Sequence, residues 1–234
     1  MTTVVLVHGA WHGAWAWSRV EPLLREEGLS TTAVELPFTT FADDVGAVRD
    51  AVVAAGGPVL LVGHSYGGSP VSAASATPGV AGVVFVTAKV VRAGGPQDLG
   101  ESELPAGHTS VLTPELTAAI ELGDDGRTRV AAADALDLFY HDCPTGPAHA
   151  AARRLRPVAV ACATGSPTST GWQHLPTTYV LCTQDRAIPL AVQEAYASRL
   201  TGDRVRLHAG HSPFYSHPAD LAHTLVRAAH NACR

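Results

Sequence analysis

The sequence predicts an α/β protein: a doubly wound, mostly parallel sheet with helices on both faces and an inserted, mainly helical cap. Short runs rich in valine and leucine alternate with amphipathic segments, which is the order of elements in parallel sheets. Several of these runs are apolar at nearly every position, as strands covered on both faces must be. One long stretch lacks this rhythm and is rich in glycine and proline.

Six apolar runs are predicted as the strands of the sheet. Because helical segments separate them, we expect parallel pairing through right-handed crossovers. The predicted strands are Val4–Val7, Thr32–Leu36, Val59–Val62, Val83–Val86, Tyr179–Cys182 and Val205–Leu207.

The segments between these runs have the periodicity of helices. Between residues 41 and 55, for example, Val45, Val48 and Val52 fall on one helical face. Pro218 stands where a helix begins, a position at which its missing N–H costs nothing. The predicted core helices are Trp17–Glu27, Phe41–Ala55, 66–76, Leu190–Leu200 and Pro218–Ala232.

Residues 89–172 form the stretch that breaks the alternation. They contain no convincing strand, and helix-like pieces cover Pro114–Leu122, Val130–Tyr140 and Ala148–Leu155. A long irregular stretch inside a compact domain usually has a function. We therefore predict a cap over residues 89–172, inserted into a core built from residues 1–88 and 173–234.

Composition excludes several classes of function. The chain has 234 residues and a net charge of −5 without any basic block, which argues against nucleic-acid binding. No apolar run approaches the roughly 20 residues that span a bilayer. The opening MTTVVLVHG has neither a basic segment nor a cleavage site for a signal peptidase. These features predict a cytoplasmic protein that binds neither membranes nor nucleic acids.

The cysteines and histidines show no metal-binding pattern. Cys143, Cys162, Cys182 and Cys233 have no paired spacing, so we expect reduced thiols. Twelve histidines are present, but none stands in a recognised ligand spacing. The sequence therefore predicts neither a metal ion nor a cofactor.

The stretch GPVLLVGHSYGGSPVSAASA carries the strongest local signal. It contains G-x-S-x-G as Gly63-His64-Ser65-Tyr66-Gly67, between an apolar strand and a small-residue helix. In this context a serine occupies a strained turn that holds its hydroxyl clear of the backbone. Glycines are needed two positions away because side chains there would crowd the turn. The pattern predicts Ser65 as a nucleophile.

A glycine-rich loop, LVHGAWHGAWAW, follows the first predicted strand. Such a loop supplies one backbone donor of an oxyanion hole, and the residue after the nucleophile supplies the other. We assign these donors to the N–H groups of Ala10 and Tyr66. Gly9 lets the backbone approach the substrate closely, and His8 and His12 are expected to hold the loop by hydrogen bonds.

An acid and a base follow the last two predicted strands. Asp185 comes directly after TTYVLC, and His211 lies in a loop after VRLHA. The order Ser65, Asp185, His211 is the one expected for this arrangement of strands. In these roles His211 accepts the serine proton, while Asp185 orients the imidazole and stabilises its charged form. His208 and His217 are rival bases, and Asp142, in the predicted cap, is the rival acid.

Four motifs together resemble the α/β-hydrolase superfamily: VLVHGAWHGAWAW, GHSYGG, CTQDRAIP and AGHSPFYSHP. More narrowly, they resemble the branch that contains plant methyl esterases and hydroxynitrile lyases, in a bacterial member. The resemblance implies the α/β-hydrolase fold and the serine chemistry described above. The lyases of this branch carry threonine and lysine where this chain has Gly9 and Ser212. The resemblance therefore favours hydrolysis of carboxylic esters.

The cap and the loops are expected to form an apolar pocket for a small-molecule substrate. No cluster of lysine or arginine faces the predicted nucleophile, which favours a small, neutral, moderately apolar ester cleaved through an acyl-enzyme. A lyase or polyketide cyclase using the same residues stays open, as do a ligand-binding protein with low turnover and a homodimer. The candidate substrate-binding residues are Gly9, His12, Phe139, Tyr140, Trp172 and Phe214.

Overall fold

The computed structural model describes residues 2–232 and contains two sheets. The larger has six parallel strands in the order β2-β1-β3-β4-β8-β9, and the smaller is antiparallel in the order β5-β6-β7. All six predicted strands are therefore confirmed, with ends that move by a few residues. The strands are β1 (Thr3–Val7), β2 (Ser30–Val34), β3 (Val59–His64), β4 (Val80–Val86), β5 (Ile120–Leu122), β6 (Arg127–Val130), β7 (Val158–Ala159), β8 (Thr177–Cys182) and β9 (Asp203–Leu207).

Helices cover both faces of the larger sheet, as the alternation predicted. The helices of the chain are α1 (Glu21–Glu26), α2 (Phe41–Ala55), α3 (Gly68–Ala74), α4 (Pro114–Ala119), α5 (Ala132–Leu138), α6 (Thr145–Ala152), α7 (Leu190–Ala197), α8 (Pro213–Ser216) and α9 (Pro218–Ala232). Of these, α1, α2, α3, α7 and α9 pack against strands of the larger sheet, whereas α4, α5 and α6 lie within residues 89–172.

The central strands are largely apolar, which places them in the middle of the sheet. Every residue of β1, β3 and β8 is buried, and β1 pairs with β3 in the register Val4–Leu60 and Val5–Leu61. Apolar side chains on both faces of a strand must be covered by helices on both sides. Because all six strands run parallel, their carboxyl ends lie at one common edge of the sheet.

Helix α2 has the bounds that the sequence predicts, and both of its ends are capped. The Thr40 hydroxyl accepts a hydrogen bond from the Asp43 N–H at 3.1 Å, and Gly56 ends the helix with φ 64°. Such caps satisfy backbone groups that a helix end leaves free.

The prediction for the first helix was too long. The sequence suggested Trp17–Glu27, but α1 begins at Glu21 after a short 3-10 turn over Ala14–Trp17. Pro22 explains the difference, because proline lacks an N–H and its ring clashes with the carbonyl four residues earlier. Proline is tolerated only in the first turn of a helix.

Residues 89–172 contain less helix than predicted and, contrary to the expectation of no strand, include β5, β6 and β7. The helix expected over Pro114–Leu122 ends at Ala119, and Ile120–Leu122 continues as strand β5, paired with β6. Gly126, with φ 69°, closes the hairpin between β5 and β6. An Asp-Gly pair between short runs is a hairpin signal, and it outweighed the helical pattern here. The limits 89 and 172 themselves stay predictions.

Cys143, Cys162 and Cys182 are free thiols, as predicted, whereas Cys233 lies outside the described residues. Between residues 2 and 232, no helix combines the length and apolarity that a bilayer crossing needs.

At the start of α3, Gly68 lies very close to the backbone of a neighbouring segment. A Cβ added at Gly68 would lie 2.1 Å from the Lys89 carbonyl oxygen, whereas one added at Gly46 in α2 would meet nothing within 4 Å. We expect Gly68→Ala to lower the free energy of unfolding by about 1–3 kcal/mol, as overpacked sites do. Gly46→Ala should raise it by about 0.5–1 kcal/mol through helix propensity. Urea unfolding measures both, and a Gly68→Ala variant as stable as the parent would contradict this packing.

Candidate active site

Ser65 occupies the turn between β3 and α3. Its φ of 51° lies in the left-handed region, which costs energy for a residue with a side chain. A Cβ at Gly67 would lie 2.5 Å from the His8 carbonyl oxygen, so the turn can pass this close to β1 only with glycine there. The strand-to-helix turn predicted for Ser65 is thus present.

Asp185 and His211 meet behind this turn. The Nδ1 atom of His211 lies 2.8 Å from Oδ2 of Asp185, and both side chains are almost fully buried. Since Nδ1 donates its hydrogen to the carboxylate, the neutral imidazole keeps an unprotonated Nε2. The geometry thus leaves His211 one free nitrogen that can accept a proton.

Further donors fix the Asp185 carboxylate. Oδ1 accepts hydrogen bonds from the N–H groups of Ala187 at 2.7 Å and Ile188 at 3.0 Å. Oδ2 accepts a hydrogen bond from the Thr87 hydroxyl at 2.6 Å in addition to the one from His211. Thr87 was not among the predicted site residues; its position directly after β4, at the same sheet edge, is the signal that indicates it.

Ser65 and His211 line one cavity of about 240 Å³, and Asp185 lies behind His211. The structure therefore brings the three residues together. Ala10 and Tyr66, the predicted oxyanion donors, line the same cavity. The remaining lining is largely apolar and comes mainly from residues 89–172: Leu112, Leu116, Ile120, Phe139, Val158, Ala159, Val160, Cys162 and Ala163.

The candidate substrate-binding residues divide into two groups. His12 and Phe139 line the cavity, as predicted. Gly9, Tyr140, Trp172 and Phe214 are absent from its lining within the described chain. The substrate-binding role of all six residues stays a prediction.

Trp172 is a packing residue. Its indole N–H donates to the Val91 carbonyl at 2.8 Å, and its backbone N–H donates to the Ser75 hydroxyl at 2.9 Å. These bonds tie the end of the inserted segment to the core. Aromatic residues suit cores and pockets equally, so the sequence could not separate the two roles.

Tyr140 and Phe214 support the cavity from behind. The Tyr140 hydroxyl donates to Nε2 of His12 at 2.8 Å, and the Phe214 ring packs edge-on against His64 at 4.9 Å. Gly9 provides space for the turn: a Cβ there would lie 2.8 Å from both the Ser65 Cβ and Nδ1 of His64.

Three further histidines surround the site in neutral form. His8 donates from Nδ1 to the Gly9 carbonyl and accepts at Nε2 from the Leu36 N–H. His12 donates from Nδ1 to the Ala10 carbonyl at 2.8 Å, so the predicted loop-holding role fits both. Burial lowers the pKa of His8 to about 3 and that of His12 to about 4.

His64 holds the base from the other side. Its Nε2–H donates to the His211 carbonyl oxygen at 2.8 Å, and burial lowers the pKa of His64 well below its ordinary value. The loop that carries His211 is therefore tied to the last residue of β3, directly before Ser65.

The rival residues have other partners. Asp142 accepts a hydrogen bond from the Gly210 N–H at 2.6 Å, next to the base but not on its ring. His208 is exposed, and His217 lies 3.9 Å from Asp142. Neither histidine lines the cavity within the described residues.

Tyr66 anchors the turn through a contact that the sequence did not reveal. Its hydroxyl donates to Oδ2 of Asp44 at 2.6 Å, and the Phe38 N–H donates to the other carboxylate oxygen at 2.9 Å. Asp44 is fully buried, and burial raises its pKa above the ordinary range. The carboxyl comes from α2, more than one element away, which no local pattern indicates.

Across residues 2–232, no group of three or more His, Cys, Asp or Glu side chains is placed to hold a metal ion.

Comparisons with known proteins find similar hydrolases and esterases. The chain is 28% identical over 246 residues to a pyrethroid hydrolase from Sphingobium wenxiniae, covering 97% of this chain and 87% of that protein. It is 27% identical over 247 residues to a putative methylesterase 11 from Arabidopsis thaliana, covering 96% of this chain and 63% of the relative. The crystal structure of a pyrethroid hydrolase from Sphingobium faniae superposes with a TM-score of 0.82 at 25% identity, over 98% and 97% of the two chains.

The resemblance to the branch of the plant methyl esterases is thereby confirmed. A family model described as the alpha/beta hydrolase family matches residues 4–224. The chain belongs to the alpha/beta hydrolase family.

Proposed function

We propose that the protein is a serine hydrolase that cleaves a small, neutral, moderately apolar carboxylic ester through an acyl-enzyme. The observation that carries the proposal is the convergence of Ser65 and His211 on one apolar cavity, with Asp185 bonded to the far side of the imidazole. A nucleophile, a base and an orienting acid in this relation are the parts that acyl transfer needs.

The first step uses the free nitrogen of His211. As the Ser65 oxygen attacks the ester carbonyl, His211 takes the serine proton, and the carbonyl oxygen becomes negatively charged. Asp185 stabilises the resulting imidazolium without taking its proton. The proton then passes to the leaving alcohol, and the acyl group stays on Ser65.

Backbone donors stabilise the developing oxyanion. We assign this role to the N–H groups of Ala10 and Tyr66, since both residues border the cavity beside Ser65. The Ala10 N–H has no hydrogen-bond acceptor among residues 2–232, so it is free for the substrate. Donors held in advance contribute strongly because they need no reorganisation during the reaction.

The second step regenerates the enzyme. His211 removes a proton from water, the water oxygen attacks the acyl carbonyl, and Ser65 leaves with the proton from His211. The neighbouring histidines do not compete for these protons, because burial lowers their pKa values and each already makes hydrogen bonds.

The relatives support hydrolysis of esters. Two of them are named as a pyrethroid hydrolase and a putative methylesterase. The lining of the cavity is largely apolar, and its lysine, Lys89, is already paired with Asp98. A charged substrate would therefore lose its hydration without gaining a free counterion, so the cavity suits a neutral substrate. The sizes of the acyl and alcohol parts depend on the inserted segment.

Replacing the nucleophile should abolish turnover. We expect Ser65→Ala to lower kcat for 4-nitrophenyl butyrate by about 10⁴-fold or more, as for other enzymes of this mechanism. The exposed Ser198, replaced by alanine, is the matched control and should keep full activity. A fluorophosphonate should label the parent once and Ser65→Ala not at all, detected by intact-protein mass. Labelling without turnover of any ester would favour a lyase, a cyclase or a binding protein instead.

The two candidate acids are separable by paired variants. Asp185→Asn should lower kcat by about 10³–10⁴-fold, since an amide favours the wrong tautomer of His211. Asp142→Asn should change kcat by less than about tenfold, because an amide oxygen can still accept the Gly210 N–H. Steady-state kinetics with matched melting temperatures measures both. Equal losses in the two variants would remove Asp185 from its assigned role.

The buried histidines should make the fold sensitive to acid. The pKa of His12 is about 4 in the folded state, below its ordinary value, so the unfolded chain binds more protons as the pH falls below about 6.5. The contribution of neutral His12 to the free energy of unfolding is therefore fully present above about pH 6.5. It is lost as the pH falls towards 4, by up to about 1.4 kcal/mol per pH unit. Urea unfolding between pH 7 and 5 measures the slope. His12→Gln should reduce the slope of the free energy of unfolding against pH by the contribution of one histidine. An unchanged slope would contradict a neutral, buried His12.

A further inference from the structure

Lys89 is the only lysine in the chain; the other fifteen of its 16 basic residues are arginines. It follows β4 by three positions and lines the same cavity as Ser65 and His211. Its side chain is only 13% exposed. Arginine is used at every other basic position of this chain, whether exposed or buried as at Arg199, so the use of lysine at this one place calls for a separate explanation.

The backbone around Lys89 is held in place. Its N–H donates to the Ser65 carbonyl oxygen at 3.1 Å, which joins it directly to the nucleophile turn. The preceding residue, Ala88, exchanges two hydrogen bonds with the Tyr179 hydroxyl, at 3.0 and 2.8 Å. The following residue, Val90, accepts a bond from Arg199. The lysine side chain therefore extends to the cavity from a backbone segment that hydrogen bonds hold in place.

The partner of Lys89 does not account for its presence. The ammonium group pairs with Asp98, whose side chain is 56% exposed and which also lines the cavity. Ion pairs that face water are screened and add little stability. Placing an ammonium group in a largely apolar cavity costs hydration energy, so a purely structural position would favour an apolar side chain.

The ammonium group also has unused hydrogen-bonding capacity. A lysine carries three donors, and within residues 2–232 its only charged partner is Asp98. The other polar side chains of the lining, apart from Ser65 and His211, are already bonded within the protein. His12 bonds to Ala10 and Tyr140, Tyr66 bonds to Asp44, and Thr128 bonds to Trp11 and Val158.

We propose that Lys89 is a specificity residue that donates a hydrogen bond to a second carbonyl oxygen of a neutral ester substrate, apart from the carbonyl that Ser65 attacks. The proposal rests on the proposed hydrolase function and names the substrate class more narrowly. The substrate is a keto ester or a diester, because these place a further acceptor in an otherwise apolar molecule.

A neutral acceptor fits the cavity better than a carboxylate. Asp98 already balances the charge of Lys89, and the histidine in the lining with a shifted pKa, His12, is neutral at ordinary pH. A substrate carboxylate would lie beside Asp98 and be repelled by it, whereas a carbonyl oxygen can use a free N–H and leave the pair intact. Lys89 does not occupy the position directly after His211, which is held by Ser212.

The first test compares matched esters. The probes are 4-nitrophenyl esters whose acyl chains carry a ketone at carbon 4, 5 or 6, and acetonyl butyrate for the alcohol side. Each is paired with an ester that has a methylene or branched alkyl group in place of the ketone. We expect at least one pair to show a preference for the ketone in kcat/KM. Lys89→Met should lower that ratio by about tenfold or more, because a hydrogen bond from a charged donor is lost.

Two control variants separate this role from general effects of charge. Arg92→Met removes an exposed cation from the same loop and should leave the ketone-to-alkyl ratio unchanged. Asp98→Asn removes the balancing charge and should raise kcat/KM for a 4-nitrophenyl hemisuccinate, which the parent disfavours. Preference of the parent for the hemisuccinate would overturn the neutral substrate class. Absence of any Lys89-dependent ratio across the panel would overturn the proposal itself.

Binding can be read without turnover because the lysine is unique. In Ser65→Ala labelled with ¹³C-lysine, Lys89 gives the single side-chain ε-CH₂ signal. We expect the keto esters to shift it in a saturable way and their alkyl counterparts to leave it unchanged. If the keto esters shift the Lys89 signal but the parent protein hydrolyses no ester, the proposed hydrolase function is wrong and the proposed Lys89 site stands. If the parent hydrolyses esters but the keto esters leave the Lys89 signal of Ser65→Ala unchanged, the proposed Lys89 site alone is wrong.

Discussion

Parallel pairing of β3, β4, β8 and β9 is the constraint on which the site depends. In a parallel sheet the carboxyl ends of neighbouring strands lie at one edge, so residues that follow them meet although they are far apart in sequence. Ser65 follows β3, Thr87 and Lys89 follow β4, Asp185 follows β8, and the His211 loop follows β9. The chemistry therefore depends on strand order, which in turn depends on the burial of both faces of the sheet.

Many polar groups are buried at this edge of the sheet. Hydrogen bonds within the protein offset the free-energy cost of removing these groups from water. His8 and His12 each donate from one ring nitrogen and accept at the other, so neither needs a charge or water. Asp185 accepts from two backbone N–H groups, one hydroxyl and one imidazole. Because these bonds fix the surrounding groups, the free nitrogen of His211 is left as the proton acceptor in the proposed mechanism.

Much of this could be predicted from sequence, because the relevant signals are local. An apolar run reads as a buried strand, and Gly63–Gly67 reads as a strand-to-helix turn from a few neighbouring residues. Contacts between distant elements were not predictable in this way. Asp44 reaches Tyr66 from α2, and Trp172 turns into the core because Ser75 and Val91 bind it there. The β5–β6 hairpin was only partly predictable. Its Asp-Gly turn is a local signal in the sequence, but the helical pattern of the same residues pointed to a different structure.

The division between fixed and variable parts of the site follows from these contacts. The residues proposed to carry the reaction directly follow core strands or lie in the loops after them, and hydrogen bonds hold them from several sides. Most of the apolar lining, in contrast, comes from residues 89–172. A change in that segment can alter the shape of the cavity without moving Ser65, His211 or Asp185. Lys89 belongs to both parts, because its backbone binds Ser65 while its side chain and Asp98 lie in the cavity. A substrate group held by Lys89 is therefore positioned relative to the nucleophile through one short stretch of backbone, which is the condition for orientation to contribute to rate.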